Sequence, residues 1–123
     1  MDGNEALKKW QHRLRLDDWT IKLCDNCKPD EMSIENVDGC VDWRECNKTA
    51  RIEILDESYY GDRVVPYDHT RILLHELLHL KFCLLSSNSD DLRSRVVHQI
   101  IDDIAKALAE TERENKYDEG SGV

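Results

Sequence analysis

TRILLHELLHLKFCLL, residues 70–85, is the stretch that decides the interpretation of this chain. It contains His75, Glu76 and His79 in the order H-E-x-x-H. An α-helix turns by about 100° per residue, so two histidines four residues apart lie one turn apart on the same face. They can bind one metal ion from the same side, with the glutamate next to them. The apolar positions that predict a buried helix are Ile72, Leu73, Leu74, Leu77, Leu78 and Leu80.

Two imidazoles and a carboxylate in a buried helix are costly unless each is paired or bound to a metal ion. A metal site is therefore favoured over the alternative, a buried helix whose two histidines are merely hydrogen-bonded. A hydrolytic zinc site usually has three protein ligands and one open position for water. Cys83 cannot be the third ligand, because three ligands spread over two turns of one helix cannot converge on one tetrahedral ion. It is expected to be a small buried thiol.

The last predicted helix offers a third ligand, His98. This residue lies beside the apolar face of that helix, and Asp102 follows one turn later on the same side. A histidine that binds a metal ion typically donates its other N–H to a carboxylate, which fixes the tautomer and the ring orientation. The pattern predicts that His98 is a ligand and that Asp102 orients a ligand histidine. The alternative is an ordinary surface pair of these two residues.

The length and the charge of the chain limit its class. It has 123 residues, 35% of them charged, and a net charge of −9. This length fits one domain with a modest core. The acidity argues against nucleic acid or an anionic membrane as a main partner, since both require basic patches. No apolar run reaches the roughly 18 residues that span a membrane.

The chain has five cysteines and a polar, amphipathic N-terminus that is unlike an export signal. These features predict a reducing, cytoplasmic environment and free thiols. The alternative is a second, structural zinc site built from the pair Cys24 and Cys27 and the pair Cys40 and Cys46. Only the first pair has the spacing of a zinc knuckle.

Hydrophobic periodicity predicts an α+β fold. The expected elements are a helix over 4–14, a strand over 19–24, a hairpin over 39–43 and 49–55, the H-E-x-x-H helix, and a last helix ending near 114. The single domain would then span 1–114. Residues 115–123 form a polar tail that is expected to be disordered.

Polar residues before the two long helices are candidate caps. Asp68 or Thr70 can cap the H-E-x-x-H helix, and Ser89 or Asp90 can cap the last helix. The predicted apolar face of the last helix consists of Val96, Val97, Ile100, Ile101, Ile104 and Leu108.

H-E-x-x-H followed, after a gap of 18 residues, by a ligand on a second helix resembles the gluzincin class of zinc metallopeptidases. The order of helix, small sheet, metal helix and second long helix resembles the minimal gluzincin-like proteins, many of them encoded by phages or prophages. Residues 39–54, with Trp43 and then TARIEI, resemble the hairpin that precedes the metal helix in that group. The resemblance implies a zincin-like fold with a small, largely antiparallel three-stranded sheet.

In gluzincins the third ligand is a glutamate, and a carboxylate one turn later supports the first histidine of the motif. Carried over, His98 takes the glutamate position and Asp102 lies next to His75. Three neutral imidazoles leave the site with one negative charge fewer, and the metal ion with stronger Lewis acidity. The metzincin pattern is excluded, because it requires Gly and His where this chain has Phe82 and Leu85.

The sequence therefore predicts a metallopeptidase with one catalytic zinc ion, the ligands His75, His79 and His98, and Glu76 as general base. The alternative is a non-catalytic domain that zinc stabilises and that binds a partner. The chain is expected to be a monomer that acts on a peptide or protein. The strand over 50–55 is a candidate sheet edge for pairing with an extended substrate. The candidate donors to the oxyanion are Tyr59, Tyr60, Tyr67 and His69.

Overall fold

A computed structural model describes residues 2–83 and 92–121 of the chain, with side chains as far as 115. Within these ranges the fold is α+β, with three α-helices and one three-stranded sheet. The helices are α1 (Gly3–Arg13), α2 (His69–Lys81) and α3 (Leu92–Ser121). The strands are β1 (Thr20–Cys27), β2 (Gly39–Arg44) and β3 (Thr49–Leu55). Short 3₁₀ turns occupy Pro29–Glu31 and Glu57–Tyr59.

The sheet has the strand order β1-β3-β2 and is mixed. The predicted hairpin of β2 and β3 is confirmed, since these strands pair antiparallel. The prediction of a largely antiparallel sheet is wrong for the other pairing, because β1 runs parallel to β3. Alternation of apolar and polar residues identifies a half-buried strand but contains no information about the direction of its neighbour. The connection from β1 to β2 skips one position in the sheet. Strand β3 then occupies that position and pairs with both β1 and β2.

One face of the sheet packs against the helices and forms the core. Ile52 and Ile54 on β3 are fully buried, and so are Leu73, Leu74 and Leu77 on α2. Helix α2 contacts β2, β3, α1 and α3, so it lies between the sheet and the last helix. The predicted burial of this helix is confirmed. Its apolar side chains supply the largest share of the buried hydrophobic surface.

Helix α2 begins at the residue after Asp68, whose side chain accepts a hydrogen bond from the backbone N–H of Arg71 at 3.3 Å. Asp68 is therefore the cap, rather than Thr70. The helix ends at Lys81, before residue 85, the last residue of the opening stretch. The predicted caps of the last helix, Ser89 and Asp90, lie outside the described residues.

Helix α3 packs through a narrower face than the sequence predicts. Ile101, Ala105 and Ala109 are buried, at 0–1% exposure. Val96 and Ile100, expected on the same face, are 45% exposed, so that part of the prediction is wrong. Small residues at every fourth position allow α3 to approach α2 closely, and this rotates the larger apolar residues outward. The helix also continues to Ser121, beyond its predicted end near 114, so the backbone of 115–121 is helical rather than a disordered tail.

The opposite face of the sheet contains a buried carboxylate, Glu53, which is 3% exposed. It accepts hydrogen bonds from the Cys40 thiol and the Ser33 backbone N–H, both at 3.0 Å, and from the Arg51 side chain at 3.2 Å. Burial raises the pKa of Glu53, but these hydrogen bonds outweigh burial and lower the pKa to about 2. The carboxylate therefore joins β2, β3 and the segment before β2 in its ionised form.

We expect Glu53→Gln to lower the free energy of unfolding near pH 7 by about 1–3 kcal/mol, because the amide accepts these hydrogen bonds without a charge. The pKa of Glu53 in the folded state is below its ordinary value of 4.5. The ionised carboxylate therefore stabilises the fold fully above that pH, and this stabilisation is lost as the pH falls towards 2. Urea unfolding of both proteins between pH 7 and pH 3 tests this. Their difference should shrink in acid. The exposed Glu110→Gln is the matched control, and an equal loss in that variant would contradict the assignment.

Candidate metal centre

Three histidine side chains converge between α2 and α3. His75 and His79 lie on the face of α2 that is turned towards α3, and His98 faces them from α3. One nitrogen of each ring lies within 4.8 Å of the corresponding nitrogens of the other two. The ring centroids are 4.9, 5.0 and 5.4 Å apart. This group could hold a metal ion, and it is the only such group of His, Cys, Asp or Glu among the side chains of residues 2–83 and 92–115.

The protonation of the histidines suits a metal ion. Burial, followed by the proximity of His75 and His98, lowers the pKa of His79 to about 4. Burial, followed by the proximity of His98, also lowers the pKa of His75. Neutral rings keep a lone pair available, and a metal ion requires deprotonated ligands. Three imidazoles at this separation therefore fit a divalent transition metal such as zinc.

Asp102 lies behind His75, with its Oδ1 3.4 Å from the Nδ1 of that ring. Its other oxygen accepts a hydrogen bond from the Lys106 ammonium at 2.9 Å. Burial raises the pKa of Asp102, but Lys106 and His75 outweigh burial, and the net pKa lies below its ordinary value. A carboxylate beside Nδ1 favours the tautomer whose Nε2 is free for a metal ion. This is the position that the gluzincin resemblance implied for Asp102.

Glu76 follows His75 and lines the same cavity. It is only 5% exposed. Burial raises the pKa of Glu76 to about 8, and the negative charge of Asp38 contributes in the same direction. A carboxyl group in this range can exchange a proton near neutral pH, which is what a general base or acid must do. A metal ion bound by the histidines would lower the pKa of Glu76, because its positive charge stabilises the carboxylate.

A cavity of about 710 Å³ opens over the histidines, a size common for ligand sites. Helices α2 and α3 form one side, and β2 with the segment before it forms the other. Its lining combines the three histidines with apolar side chains. The apolar part consists of Ile34, Val37, Val41, Trp43, Ile72 and Val97.

Strand β2, not β3, is the sheet edge at this cavity. The prediction that residues 50–55 form the edge is wrong, because β3 is paired on both sides. The Leu55 backbone N–H donates to the Asp38 carbonyl at 2.8 Å. Along an antiparallel pair, every second residue of a strand directs its backbone N–H and C=O towards the partner strand. Asp38 is such a residue, so the backbone groups of Gly39, Val41 and Trp43 point away from β3. No other strand in the described part of the chain pairs with them.

The candidate oxyanion donors lie elsewhere. Tyr60 and Tyr67 donate to the backbone carbonyls of residues 65 and 55. The His69 ring lies 2.8 Å from the Asp25 carboxylate, and Tyr59 is 47% exposed. None of these four candidates lines the cavity. Two cationic side chains do line it, Arg63 and Arg71, and the sequence patterns singled out neither.

The cysteines are free thiols, and four of them were candidates for a second zinc site. Cys24 and Cys27 lie on β1, Cys40 lies on β2, and Cys46 is exposed in the hairpin turn. Within the described ranges they do not form a group that could hold a metal ion. Burial raises the pKa of Cys40 to about 12, and Glu53, which accepts its S–H, adds to the shift. This thiol is therefore a hydrogen-bond donor, whereas metal ligation requires a thiolate.

Comparisons with protein-family models, with curated proteins and with solved structures give no match to this chain. Among the described helices, none is both long and apolar enough to cross a membrane.

The close approach of β2 to α2 depends on Gly39. A Cβ atom at this position would lie 2.6 Å from Ile72 Cγ2 and 3.5 Å from Glu76 Cγ. We expect Gly39→Ala to destabilise the fold by about 1–3 kcal/mol and to displace β2 from the helix. Thermal unfolding measures the first effect, and backbone chemical shifts around Glu76 report the second. Gly61→Ala is unsuitable as a control, because Gly61 has a φ of +80°; Lys8→Ala, at an exposed position of α1, is preferable. Unchanged stability and shifts would contradict this role of Gly39.

Proposed function

We propose that the chain is a zinc-dependent metallopeptidase with a zincin-like fold, of the gluzincin type but with His98 as the third ligand. The observation that carries the proposal is the convergence of three imidazole nitrogens within 4.8 Å of one another, beside the buried carboxyl group of Glu76. A purely structural metal site has no need of such a carboxyl group. Its burial in the wall of an open cavity favours catalysis over stabilisation alone.

His75, His79 and His98 would hold the zinc ion through three neutral nitrogens. Bound there, zinc supplies Lewis acidity towards the scissile carbonyl and lowers the pKa of water towards about 7. Asp102 contributes by holding His75 in one tautomer, and Lys106 holds Asp102 in turn. These contacts keep the ligand histidine oriented before substrate arrives.

Glu76 would act first as the general base and then as the general acid. Its carboxylate takes a proton from the attacking water and delivers it to the amine that leaves. The raised pKa allows the carboxyl oxygen to hold this proton between the two transfers, and burial keeps bulk water from competing for it. Helix α2 fixes Glu76 next to His75 in the chain, so the base and the metal ligands share one rigid element.

An extended peptide would bind along β2. The outward backbone groups of Gly39, Val41 and Trp43 can pair with a peptide as a fourth strand, which supplies affinity independent of sequence. The Val41 and Trp43 side chains lie on the cavity wall, where they offer apolar surface to the substrate's own side chains. The cavity is then a cleft between an edge strand and the metal helix.

Glu76→Gln tests the catalytic role. The variant should bind one zinc ion as wild type does and lose about 10²–10⁴-fold in peptide hydrolysis, because the amide cannot accept the proton. Elemental analysis measures the metal, and a broad peptide library followed by mass spectrometry measures cleavage. Glu110→Gln, exposed on α3, should retain full activity. If zinc-loaded wild type cleaves nothing in the library, the non-catalytic, zinc-stabilised binding domain becomes the better account.

His98→Ala tests the third ligand. Loss of a direct ligand should weaken zinc binding by more than the roughly 10–100-fold that loss of an outer partner causes. Competition with a chromophoric chelator measures the affinity. His12→Ala is the matched control, because His12 is an exposed residue on α1. An unchanged zinc affinity in His98→Ala would remove this residue from the site.

A further inference from the structure

Arg71 has an unusual environment. It lies in the first turn of α2, one turn before His75, and lines the cavity. Its Nε and Nη2 atoms are buried, and neither has a hydrogen-bond partner. Buried polar groups almost always have hydrogen-bond partners, because burial removes their hydrogen bonds to water and this costs free energy unless a protein group replaces the water. A cation in the first turn also opposes the helix dipole. The fold therefore maintains an unfavourable charge beside the candidate metal centre.

The other charges around the cavity are already compensated. The second arginine in its lining, Arg63, forms an ion pair with Asp38. Asp102 accepts a hydrogen bond from Lys106 and contacts His75. Among the described residues, Arg71 is thus the cation of the lining whose side-chain donors remain unsatisfied.

The two unsatisfied atoms of Arg71 define what can bind there. The N–H bonds of Nε and Nη2 lie side by side on one edge of the planar guanidinium and point in the same direction. This edge matches the two oxygens of a carboxylate, which can accept both hydrogen bonds at once. A peptide carbonyl offers one oxygen and no charge. Rotation about the outer bonds of the side chain would bring this edge from the wall to a ligand in the cavity.

We propose that Arg71 binds a carboxylate of the substrate close to the scissile bond, an inference that rests on the proposed peptidase function. Arg71 and His75 are four residues apart on α2, about 6 Å along the axis. An extended peptide advances about 3.3 Å per residue. The carboxylate therefore lies one or two residues from the cleaved bond. It belongs either to an aspartate or glutamate side chain or to the C-terminus of a peptide.

Matched peptides test this preference and separate the two sources. A cleaved peptide from the library is resynthesised with Asp or Asn at the two positions on each side of the bond, with its ends blocked. A second set places a free or an amidated C-terminus at the same positions. We expect zinc-loaded wild type to prefer one carboxylate over its neutral analogue by at least about tenfold in kcat/KM. Arg71→Gln should lose this preference and cleave the neutral peptide about as well as wild type.

Two further variants define the contribution of the guanidinium edge. Arg71→Lys keeps the charge without the paired donors and should retain only part of the preference. Arg63→Gln alters the other arginine of the cavity and should retain all of it, because Arg63 is already paired with Asp38. If Arg71→Gln slows the Asp and Asn peptides equally, or leaves their ratio unchanged, the inference is overturned.

A binding measurement makes the inference testable apart from turnover. Acetyl-aspartate amide and acetyl-asparagine amide are titrated into zinc-loaded Glu76→Gln, with and without Arg71→Gln, and chemical shifts are followed. Preferential binding of the aspartate derivative that disappears with Arg71→Gln supports the inference even if no peptide is cleaved. Absence of cleavage by wild type would overturn the peptidase proposal alone. Equal binding of both derivatives, together with equal cleavage of the peptide pairs, would overturn the role of Arg71 alone.

Discussion

The rest of the structure depends on the packing of α2 between the sheet and α3. The apolar side of this helix, including Leu73, Leu74 and Leu77, is fully buried. Such burial contributes roughly 1.5–3 kcal/mol for each large side chain. It also fixes the rotation of α2 about its own axis, so His75 and His79 must face α3. Because the small residues Ala105 and Ala109 let α3 approach closely, the opposing His98 arrives within reach of both.

The same burial sets the electrostatics of the site. Removing His79 and Glu76 from water disfavours the charged form of each, which lowers the first pKa and raises the second. The result is a set of neutral imidazoles beside a carboxyl group that titrates near neutrality. Asp102 is an exception, because Lys106 keeps it ionised behind His75. The pKa values of His79, Glu76 and Asp102 thus differ from their ordinary values according to the burial and the partners of each group.

Several features could not be predicted, for identifiable physical reasons. The direction of β1 and the central place of β3 depend on how a connection crosses the sheet, and side-chain alternation is the same in either case. The exposure of Val96 and Ile100 follows from which face of α3 allows the closest helix contact, whereas periodicity only marks a broad apolar stripe. The Arg71 side chain was missed because lack of a hydrogen-bond partner is a property of the fold, and one charged residue in a helix is ordinary in a sequence.

Local periodicity was enough to predict the buried H-E-x-x-H helix, the one-turn spacing of His75 and His79, the adjacent Glu76, and the hairpin before them. Helical geometry fixes such relations whatever the rest of the chain does. The approach of His98 and Asp102 to α2, the place of β2 at the edge of the cavity, and the unpaired Nε and Nη2 of Arg71 follow from the tertiary structure alone. These are contacts between elements distant in the chain, and they follow from how buried surfaces fit together, which no local pattern encodes.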